Sequence, residues 1–372
     1  MAENFLRILV CPLDWGLGHA TRCVPVITKM VEEGHQVTLA ADGQALGFLR
    51  SQFPDLPWKR FPGVTIRYPS GKSMVLKMLL QLPGIFLNII LENQRIKKIA
   101  GECRADVILS DNRFGLWHKK IHTIYMTHQV MIKAPDRLKW AEPWLYRIHL
   151  RFIRKYDECW IPDFPGEPNL SGDLAHQYPV PPNGLFIGPL SRFTAIRASI
   201  KHREQTGGPA LMVMISGPEP QRSIFENIIL RQLRENPGIN AVILRGLPGE
   251  VRDLPAMEGV RIFNHLPDID LLPMILNAST ILCRSGYSTI MDLATLGRKA
   301  VLVATPGQTE QEYLANYLQE TAQWKSVNQY DLILRRVMDP GNGPDESVET
   351  IRGEQLLYAA VRRLRTTGRR DK

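Results

Sequence analysis

A glycine pair followed by a histidine stands near the start of the chain, in the stretch DWGLGHATR at 14–22. Glycine lets the backbone approach a ligand closely, and a turn from a strand into a helix presents free N–H groups. Gly16 and Gly18 therefore predict a close-approach turn with His19 at its mouth. Thr21 stands where the dinucleotide fingerprint has its third glycine, so a dinucleotide site is only weakly indicated.

A denser group of polar residues lies at 284–316, RSGYSTIMDLATLGRKAVLVATPGQTEQEYLAN. The pattern predicts a strand ending at Cys283, a turn, and a helix beginning near Tyr287. The N–H groups, hydroxyls and positive dipole end of such a turn suit a diphosphate. The candidate ligands are Arg284, Ser285, Gly286, Ser288 and Thr289.

More polar residues follow this turn. Asp292 lies one helical turn along, where its carboxylate could accept hydrogen bonds from the vicinal hydroxyls of a ribose. Gln308, Glu310 and Gln311 come just after the next predicted strand. Open α/β sheets bind ligands at this carboxyl edge, and contacts of this kind suit a sugar.

Short apolar runs alternate with helical patterns along the chain, which predicts parallel sheets covered on both faces. Examples are RILVCPL, QVTLAAD, ADVILSD and HTIYMTH in the first half, and ALMVMISG, INAVILRG, STILCRSG and KAVLVATP in the second. We expect an α/β protein with two Rossmann-like domains facing each other across a cleft. The expected parts are an N-terminal acceptor domain at 1–163, a linker region rich in proline and glycine at 164–186, a C-terminal nucleotide-sugar domain at 187–345, and a helix at 346–372 packing back on the N-terminal domain.

Composition narrows the class of protein. The chain has 372 residues and a net charge of +9, which calls for an anionic partner. It contains no recognisable nucleic-acid module, so we expect no nucleic-acid partner. The five cysteines are widely spaced with no CxxC pair, which fits a reducing compartment and indicates neither a disulfide framework nor a zinc site. The first apolar run resembles a strand rather than a signal peptide, and we expect a cytoplasmic protein.

Residues 74–91, MVLKMLLQLPGIFLNIIL, are strongly apolar but interrupted by Lys77, Gln81 and Pro83. Such a stretch is a poor transmembrane helix. Two interpretations are open: a pair of buried core helices, or an apolar patch that contacts an anionic membrane surface beside basic residues.

The segment 284–316 resembles the C-terminal signature of glycosyltransferase family 28, which includes the peptidoglycan N-acetylglucosaminyltransferase and enzymes that glycosylate diacylglycerol. The resemblance implies a GT-B fold, with a nucleotide-sugar in the C-terminal domain and the acceptor mostly in the N-terminal one. It places the diphosphate at Ser285 and Gly286, the ribose at Asp292, and the donor sugar at Gln311 with Glu312 as a substituted neighbour.

Looser similarities extend the resemblance. IGPLSR at 187–192 is similar to the interdomain segment whose arginine faces the nucleotide, which points to Arg192. ISGPEPQR at 215–222 occupies the second glycine loop, where prolines at 218 and 220 depart from the family. THQV at 127–130 matches the family only through Gln129. The candidate substitutes in the second loop are Ser216, Gly217 and Arg222, and Leu266 is placed near the base.

The GLGH stretch corresponds to the first glycine loop of the family. The resemblance therefore implies that His19 accepts the proton of the acceptor hydroxyl as that hydroxyl attacks the anomeric carbon. Asp111, after another predicted strand, either orients the imidazole, takes the proton itself, or is an ordinary strand-end cap. No Asp-x-Asp metal motif accompanies these segments. Asp268 and Asp270 have that spacing, but they lie at a predicted helix start, where helix capping explains them. We expect no metal, and no cofactor besides the nucleotide-sugar co-substrate.

The leading interpretation is a transferase that moves a sugar, UDP-linked by expectation, to a lipid-linked or other cell-envelope acceptor at the inner face of the membrane. Three alternatives stay open. A nucleotide-sugar 2-epimerase could use the same fold, and an NAD-dependent oxidoreductase could use Gly16, Gly18 and Asp42. The last alternative is a sugar-nucleotide binding protein without catalytic activity.

Overall fold

A computed structural model of the chain describes residues 5–14, 16–63, 74–200, 207–248, 256–338 and 349–367. The chain divides into two compact units. Unit 1 comprises Met1–Leu190 and Glu349–Lys372, and unit 2 comprises Ser191–Val348. Each unit contains a parallel sheet with helices, so the prediction of an α/β protein with two Rossmann-like domains is confirmed.

Strands and helices alternate along most of unit 1. The elements are β1 Arg7–Pro12, α1 Leu17–Glu32, β2 Gln36–Ala41, α2 Gly43–Gln52, β3 Trp58–Arg60, α3 Met74–Glu102, β4 Val107–Asp111, β5 His122–Met126, α4 Glu142–Ile153, β6 Glu158–Ile161, α5 Asp173–His176 and β7 Gly184–Phe186. A 3-10 turn, Asp136–Ala141, precedes α4. The strand order is β3-β2-β1-β4-β5-β6-β7, with parallel pairing.

Unit 2 repeats this plan. Its elements are α6 Thr194–Ile200, β8 Leu211–Met214, α7 Gln221–Glu235, β9 Ala241–Leu244, β10 Val260–Phe263, α8 Asp268–Asn277, β11 Thr280–Cys283, α9 Tyr287–Thr295, β12 Val301–Leu302, α10 Thr309–Thr321, β13 Lys325–Ser326 and α11 Leu334–Val337. The strand order is β10-β9-β8-β11-β12-β13, again with parallel pairing.

The central strands of each sheet are apolar on both faces because helices cover both sides. In unit 1, Leu9, Ile108 and Tyr125 belong to one buried cluster. In unit 2, Val213 and Ile243 belong to another. The uninterrupted apolar runs of the sequence predict this burial.

The helix α12, Glu349–Thr367, groups with unit 1 and packs against α1. The Arg365 guanidinium donates to the backbone carbonyl of Glu33 at 2.6 Å and pairs with the Glu33 carboxylate at 3.1 Å. Lys29 Nζ of α1 lies 4.7 Å from the ring centroid of Tyr358. These contacts stabilise the helix that carries His19.

Residues 164–186 form part of unit 1, although their proline and glycine content predicts a linker. The buried carboxylate of Asp163 accepts hydrogen bonds from the backbone N–H groups of Phe164, Leu170 and Ser171. These bonds hold the loop compact, and the segment ends in β7, the seventh strand of the sheet. Composition alone does not distinguish such an internally bonded loop from a linker.

The apolar stretch 74–91 lies within the continuous helix α3, so the interpretation as a pair of core helices is wrong. Leu87, Ile90 and Leu91 are 64%, 56% and 43% exposed, which excludes a core position for them. In the described part of the chain, no helix combines the length and apolar character needed to cross a membrane.

Candidate active site

The strand order of unit 1 reverses between β1 and β4. Open α/β sheets bind ligands outside the carboxyl ends of their strands at such a reversal. β1 and β4 pair in register up to Pro12 and Asp111, and Leu13 N–H donates to the Asp111 carbonyl at 3.1 Å. The turn after β1 and the end of β4 are therefore neighbours at this edge.

The turn that the glycine pair predicts is present before α1. Gly16 has φ +73°, a left-handed conformation that favours glycine, and no side chain caps the helix that follows. Gly18 lies in the first turn of α1 together with His19. This geometry directs His19 from the start of α1 towards the end of β4.

His19 and Asp111 form a hydrogen-bonded pair at this edge. Nδ1 of His19 lies 3.0 Å from Oδ2 of Asp111; the Asp111 side chain is fully buried, whereas 13% of the His19 side chain is exposed. A carboxylate accepts a hydrogen bond from Nδ1–H and leaves the Nε2 lone pair of the ring available to accept a proton. Of the roles expected for Asp111, orienting the imidazole is the one that this geometry favours.

Two further residues join this pair, and neither was singled out from the sequence. The guanidinium of Arg22 bonds to both carboxylate oxygens of Asp111 and lies 2.8 Å from His19 Nδ1. Its Nη1 lies 3.0 Å from Nδ1 of His128. The i, i+3 spacing of His19 and Arg22 on α1 is a usable signal, because residues so spaced are neighbours on one helix face.

Charge and burial set the protonation of the pair. Burial lowers the pKa of His19, the positive charge of Arg22 lowers it further, and Asp111 acts in the opposite direction. Although burial opposes ionisation of Asp111, Arg22 and His19 hold the pKa of this carboxyl below its usual value. The arrangement is therefore a neutral imidazole beside an ionised carboxylate.

Asp42, the ribose ligand of the oxidoreductase alternative, is engaged elsewhere. Its Oδ1 accepts a hydrogen bond from Nε of Arg60 at 2.8 Å, at the start of α2. Thr21, which replaces the third glycine, donates its hydroxyl to the carbonyl of Gly18 at 3.1 Å. The third glycine of a dinucleotide turn is thus replaced by a threonine whose hydroxyl bonds within the first turn of α1.

In unit 2 the strand order reverses between β8 and β11, and the predicted diphosphate turn follows β11. Gly286 precedes α9 with φ −75°, and a Cβ built on it would meet nothing within 4 Å. No side chain caps α9, and no acidic residue lies in its first turn. Ser288 and Thr289 of that turn are half-buried. This helix N-terminus suits an anion.

Arg284 is placed differently from the expectation. Its side chain is fully buried, and its guanidinium donates to the carbonyls of Val303, Ala304 and Gln221 and to the side chain of Gln329. Burial lowers the pKa of Arg284 to about 10. The side chain therefore holds the neighbouring loops together instead of facing a ligand.

Ser285 and Gln311 are also engaged within the protein. The Ser285 hydroxyl donates to the Gln311 carbonyl at 2.8 Å, and the Gln311 side-chain oxygen accepts from Thr305 N–H at 2.9 Å. Glu312 accepts from Gly307 N–H at 2.8 Å. These bonds join the loops after β11 and β12. Gln308, at the N-terminus of α10, and Glu310 in its first turn are half-buried.

Asp292 and Arg192 form an ion pair. The Asp292 carboxylate accepts a hydrogen bond from the Ser191 hydroxyl at 2.8 Å and lies 3.3 Å from Nε of Arg192. Nη1 of Arg192 lies 3.2 Å from Asp268, in the first turn of α8. Burial raises the pKa of Asp292 to about 6. In this geometry Asp292 anchors Ser191 and Arg192, and its contact with a ribose stays a prediction.

The second glycine loop, after β8, is partly closed. Glu219 accepts from Ser223 N–H at 3.2 Å, so the N-terminus of α7 already has a carboxylate. Arg222 is buried and pairs with Glu219 at 2.6 Å and Glu226 at 2.8 Å, so it does not substitute as a phosphate ligand. Ser216 and Gly217 are exposed.

Two further positions were predicted from the family resemblance. Leu266 is half-buried in the loop between β10 and α8, and Gln129 is half-buried after β5. Among the residues that the structure describes, no group of three or more His, Cys, Asp or Glu side chains could hold a metal ion.

Comparisons with known proteins identify the same class as the sequence signature. Residues 256–340 match the model of the glycosyltransferase family 28 C-terminal domain. A protein of Methanosarcina acetivorans described as an uncharacterized glycosyltransferase is 22% identical over 346 residues, which cover 87% of this chain and 84% of the relative. A second such relative, from Methanosarcina mazei, is 20% identical over 343 residues and covers 87% and 86%.

Solved structures share the fold. The glycosyltransferase SnogD from Streptomyces nogalater has a TM-score of 0.58 at 12% identity, covering 98% of this chain and 99% of its own. MurG of Acinetobacter baumannii has a TM-score of 0.52 at 13% identity, covering 98% and 96%. The predicted resemblance to family 28 and the glycosyltransferase activity class are confirmed, and the 2-epimerase alternative is not supported.

Proposed function

We propose that this GT-B glycosyltransferase moves a sugar from a nucleoside diphosphate, UDP in particular, to a hydroxyl of a lipid-linked or other cell-envelope acceptor. His19 of unit 1 is the proton acceptor, and the α9 N-terminus of unit 2 binds the diphosphate. The pairing of His19 with Asp111 is the observation that carries the proposal. With its proton on Nδ1, this partly exposed ring keeps Nε2 available to receive a proton.

The donor, the acceptor hydroxyl and His19 account for every bond and proton of the proposed reaction. The acceptor oxygen attacks the anomeric carbon and loses its proton to Nε2 of His19, while the bond between that carbon and the diphosphate oxygen breaks. The leaving diphosphate gains negative charge. The uncapped N-terminus of α9 offers N–H groups and a positive dipole end to that charge, so we propose a metal-independent reaction.

Gly286 provides a specific test of the donor site. Gly286→Ala adds a methyl group where the backbone conformation tolerates it and where no protein atom lies within 4 Å. The fold should therefore survive, while a diphosphate closely approaching α9 would meet the methyl group. Gly47→Ala is the matched control, because its Cβ also meets nothing within 4 Å. Unchanged affinity of Gly286→Ala for UDP, measured by calorimetry, would exclude this donor site.

The identity of the nucleotide can be tested with thermal-shift measurements against UDP, GDP, dTDP and NAD. A ligand that binds the native state raises the melting temperature according to its affinity. We expect UDP to give the largest shift. Stabilisation by NAD alone would favour the oxidoreductase alternative and contradict the proposal.

The membrane part of the proposal rests on apolar side chains that unit 1 exposes. Leu87, Ile90 and Leu91 lie on α3, and Trp140 and Trp144 are 72% and 61% exposed. Amphipathic aromatic side chains and a basic protein are typical of contact with an anionic membrane surface. A lipid-linked acceptor would then be reached at that surface.

Liposome flotation tests this contact. The chain should float with vesicles containing anionic lipid, and Leu91→Glu should weaken flotation. Ile333→Glu in unit 2 is a matched control, since Ile333 and Leu91 are both 43% exposed. Absence of flotation with either anionic or zwitterionic vesicles would contradict membrane association.

A further inference from the structure

Nδ1 of His19 has two neighbours of opposite hydrogen-bonding character. Oδ2 of Asp111 lies at 3.0 Å and can only accept, whereas Nη2 of Arg22 lies at 2.8 Å and can only donate. If Nδ1 carries a proton, it bonds to Asp111 and Nε2 keeps its lone pair. If Nδ1 lacks a proton, it accepts from Arg22 and Nε2 carries the hydrogen. The two neighbours thus determine which ring nitrogen is protonated.

A doubly protonated His19 would place a positive ring against the Arg22 guanidinium, with 2.8 Å between the two nitrogens. Like charges at that separation repel strongly in a partly buried site. Asp111 opposes this effect, but its carboxylate is shared with Arg22 through bonds to both oxygens. Arg22 therefore limits how far Asp111 can stabilise an imidazolium.

Arg22 is held rigidly in this position. It is 3% exposed and lies one turn after His19 on α1. Besides Asp111, it contacts Nδ1 of His128 at 3.0 Å through Nη1. A guanidinium is planar and always charged. Bonds on two of its sides therefore fix its plane and keep its positive charge beside His19.

We propose that Arg22 is a positioning residue for His19: it clamps Asp111, keeps the imidazole neutral and sets the balance between its two tautomers. The inference deepens the proposed function, on which it rests for the identity of His19 as proton acceptor. The charged or titratable groups that act on His19 are Arg22 on α1, Asp111 at the end of β4, His128 after β5, and Asp14 after β1.

The test is a titration of the His19 ring by NMR in the full chain with ¹⁵N-labelled histidine, the signals being assigned by their loss in His19→Gln. Arg22→Gln should raise the midpoint by about one pH unit or more, because Asp111 then acts on His19 unopposed. Arg22→Lys, which keeps the charge, should stay closer to the parent. Arg7→Gln is the control, since it breaks an Arg–Asp pair with Asp106 at the amino ends of β1 and β4.

A second comparison serves if Arg22→Gln does not fold. Asp111→Asn should then titrate at lower pH than the double variant Arg22→Gln with Asp111→Asn, because only the former keeps the guanidinium. In either comparison, a His19 midpoint that is the same with and without the Arg22 guanidinium would overturn the role of Arg22. The result is independent of turnover: if Arg22 moves the titration but His19→Gln retains full activity, the positioning role stands and His19 is not the proton acceptor.

Discussion

Nδ1 of His19 lies 3.0 Å from Oδ2 of Asp111, and these two residues come from elements 92 positions apart in the chain. They meet because α1 starts beside the end of β4, at the reversal of strand order in unit 1. The pair combines a partly exposed ring with a fully buried carboxylate.

Replacement of Asp111 by asparagine should destabilise unit 1 as well as reduce turnover. The substitution leaves the buried Arg22 guanidinium without its charged partner, a loss that typically costs about 3–5 kcal/mol. Urea unfolding measures this cost. Asp106→Asn, which affects a more exposed Arg–Asp pair, should cost clearly less. An equal loss of unfolding free energy in the two variants would contradict a stabilising buried ion pair between Arg22 and Asp111.

The pH dependence of turnover should report the lowered pKa of His19. Burial and Arg22 lower the pKa of His19 from its ordinary value of 6.5, so the neutral imidazole persists into more acidic solution. A proton acceptor is active only when it is unprotonated, so the midpoint of the acidic limb of kcat/KM should lie below pH 6.5. A pH profile measured with an established donor and acceptor checks this. An acidic limb with its midpoint above 6.5 would contradict it.

Stability should depend on pH through Asp292. Burial raises the pKa of this carboxyl from 3.8 to about 6 in the native state. The folded protein therefore binds a proton at Asp292 that the unfolded chain has lost between these values, so the contribution of this carboxyl to stability falls as pH rises from about 4 to 6. Asp292→Asn should remove this contribution, which amounts to roughly 1–3 kcal/mol over the range. Urea unfolding across that range measures it.

Asp270→Asn is the control for this experiment, because Asp270 is exposed in the first turn of α8. Its pH dependence should follow that of the parent. An Asp292→Asn variant whose stability changes with pH through this range in the same way as that of the parent would contradict the account of Asp292.

Arg284 should be important for folding rather than for nucleotide affinity per se. Its guanidinium bonds to three backbone carbonyls and to Gln329. Arg284→Met keeps much of the volume but leaves those buried carbonyls without donors, which typically costs about 1–3 kcal/mol for each unpaired group. The melting temperature should fall markedly. A variant as stable as the parent, with weakened UDP binding, would instead make Arg284 a ligand.

Much of the fold was predictable because its physical signal is local. Buried parallel strands require uninterrupted apolar runs, and RILVCPL and STILCRSG became β1 and β11. The strand β7 gave no such signal: it is three residues long and half-buried, and a proline- and glycine-rich loop precedes it. Of the two interpretations open for 74–91, the core pair is wrong, because hydrophobicity alone does not specify burial.

The candidate site was predictable where its residues lie at the ends of predicted strands. His19 follows β1 and Asp111 ends β4, and neighbouring parallel strands end at one edge, so their meeting could be expected. The i, i+3 spacing places Arg22 on the helix face of His19, but its bonds to Asp111, 89 positions away in the chain, could not be predicted. Arg284 beside a glycine turn has the pattern of a phosphate ligand, yet its direction depends on loops up to 63 positions away in the chain. Long-range contacts of this kind leave no local trace.

The central claim is that His19 accepts the proton while unit 2 binds the donor. The most direct measurement compares turnover and UDP affinity in His19→Gln and the parent. We predict a loss of kcat of about 10²–10⁴-fold with UDP affinity and melting temperature nearly unchanged. Retention of parental turnover, or an equal loss of turnover and UDP binding, would contradict the claim.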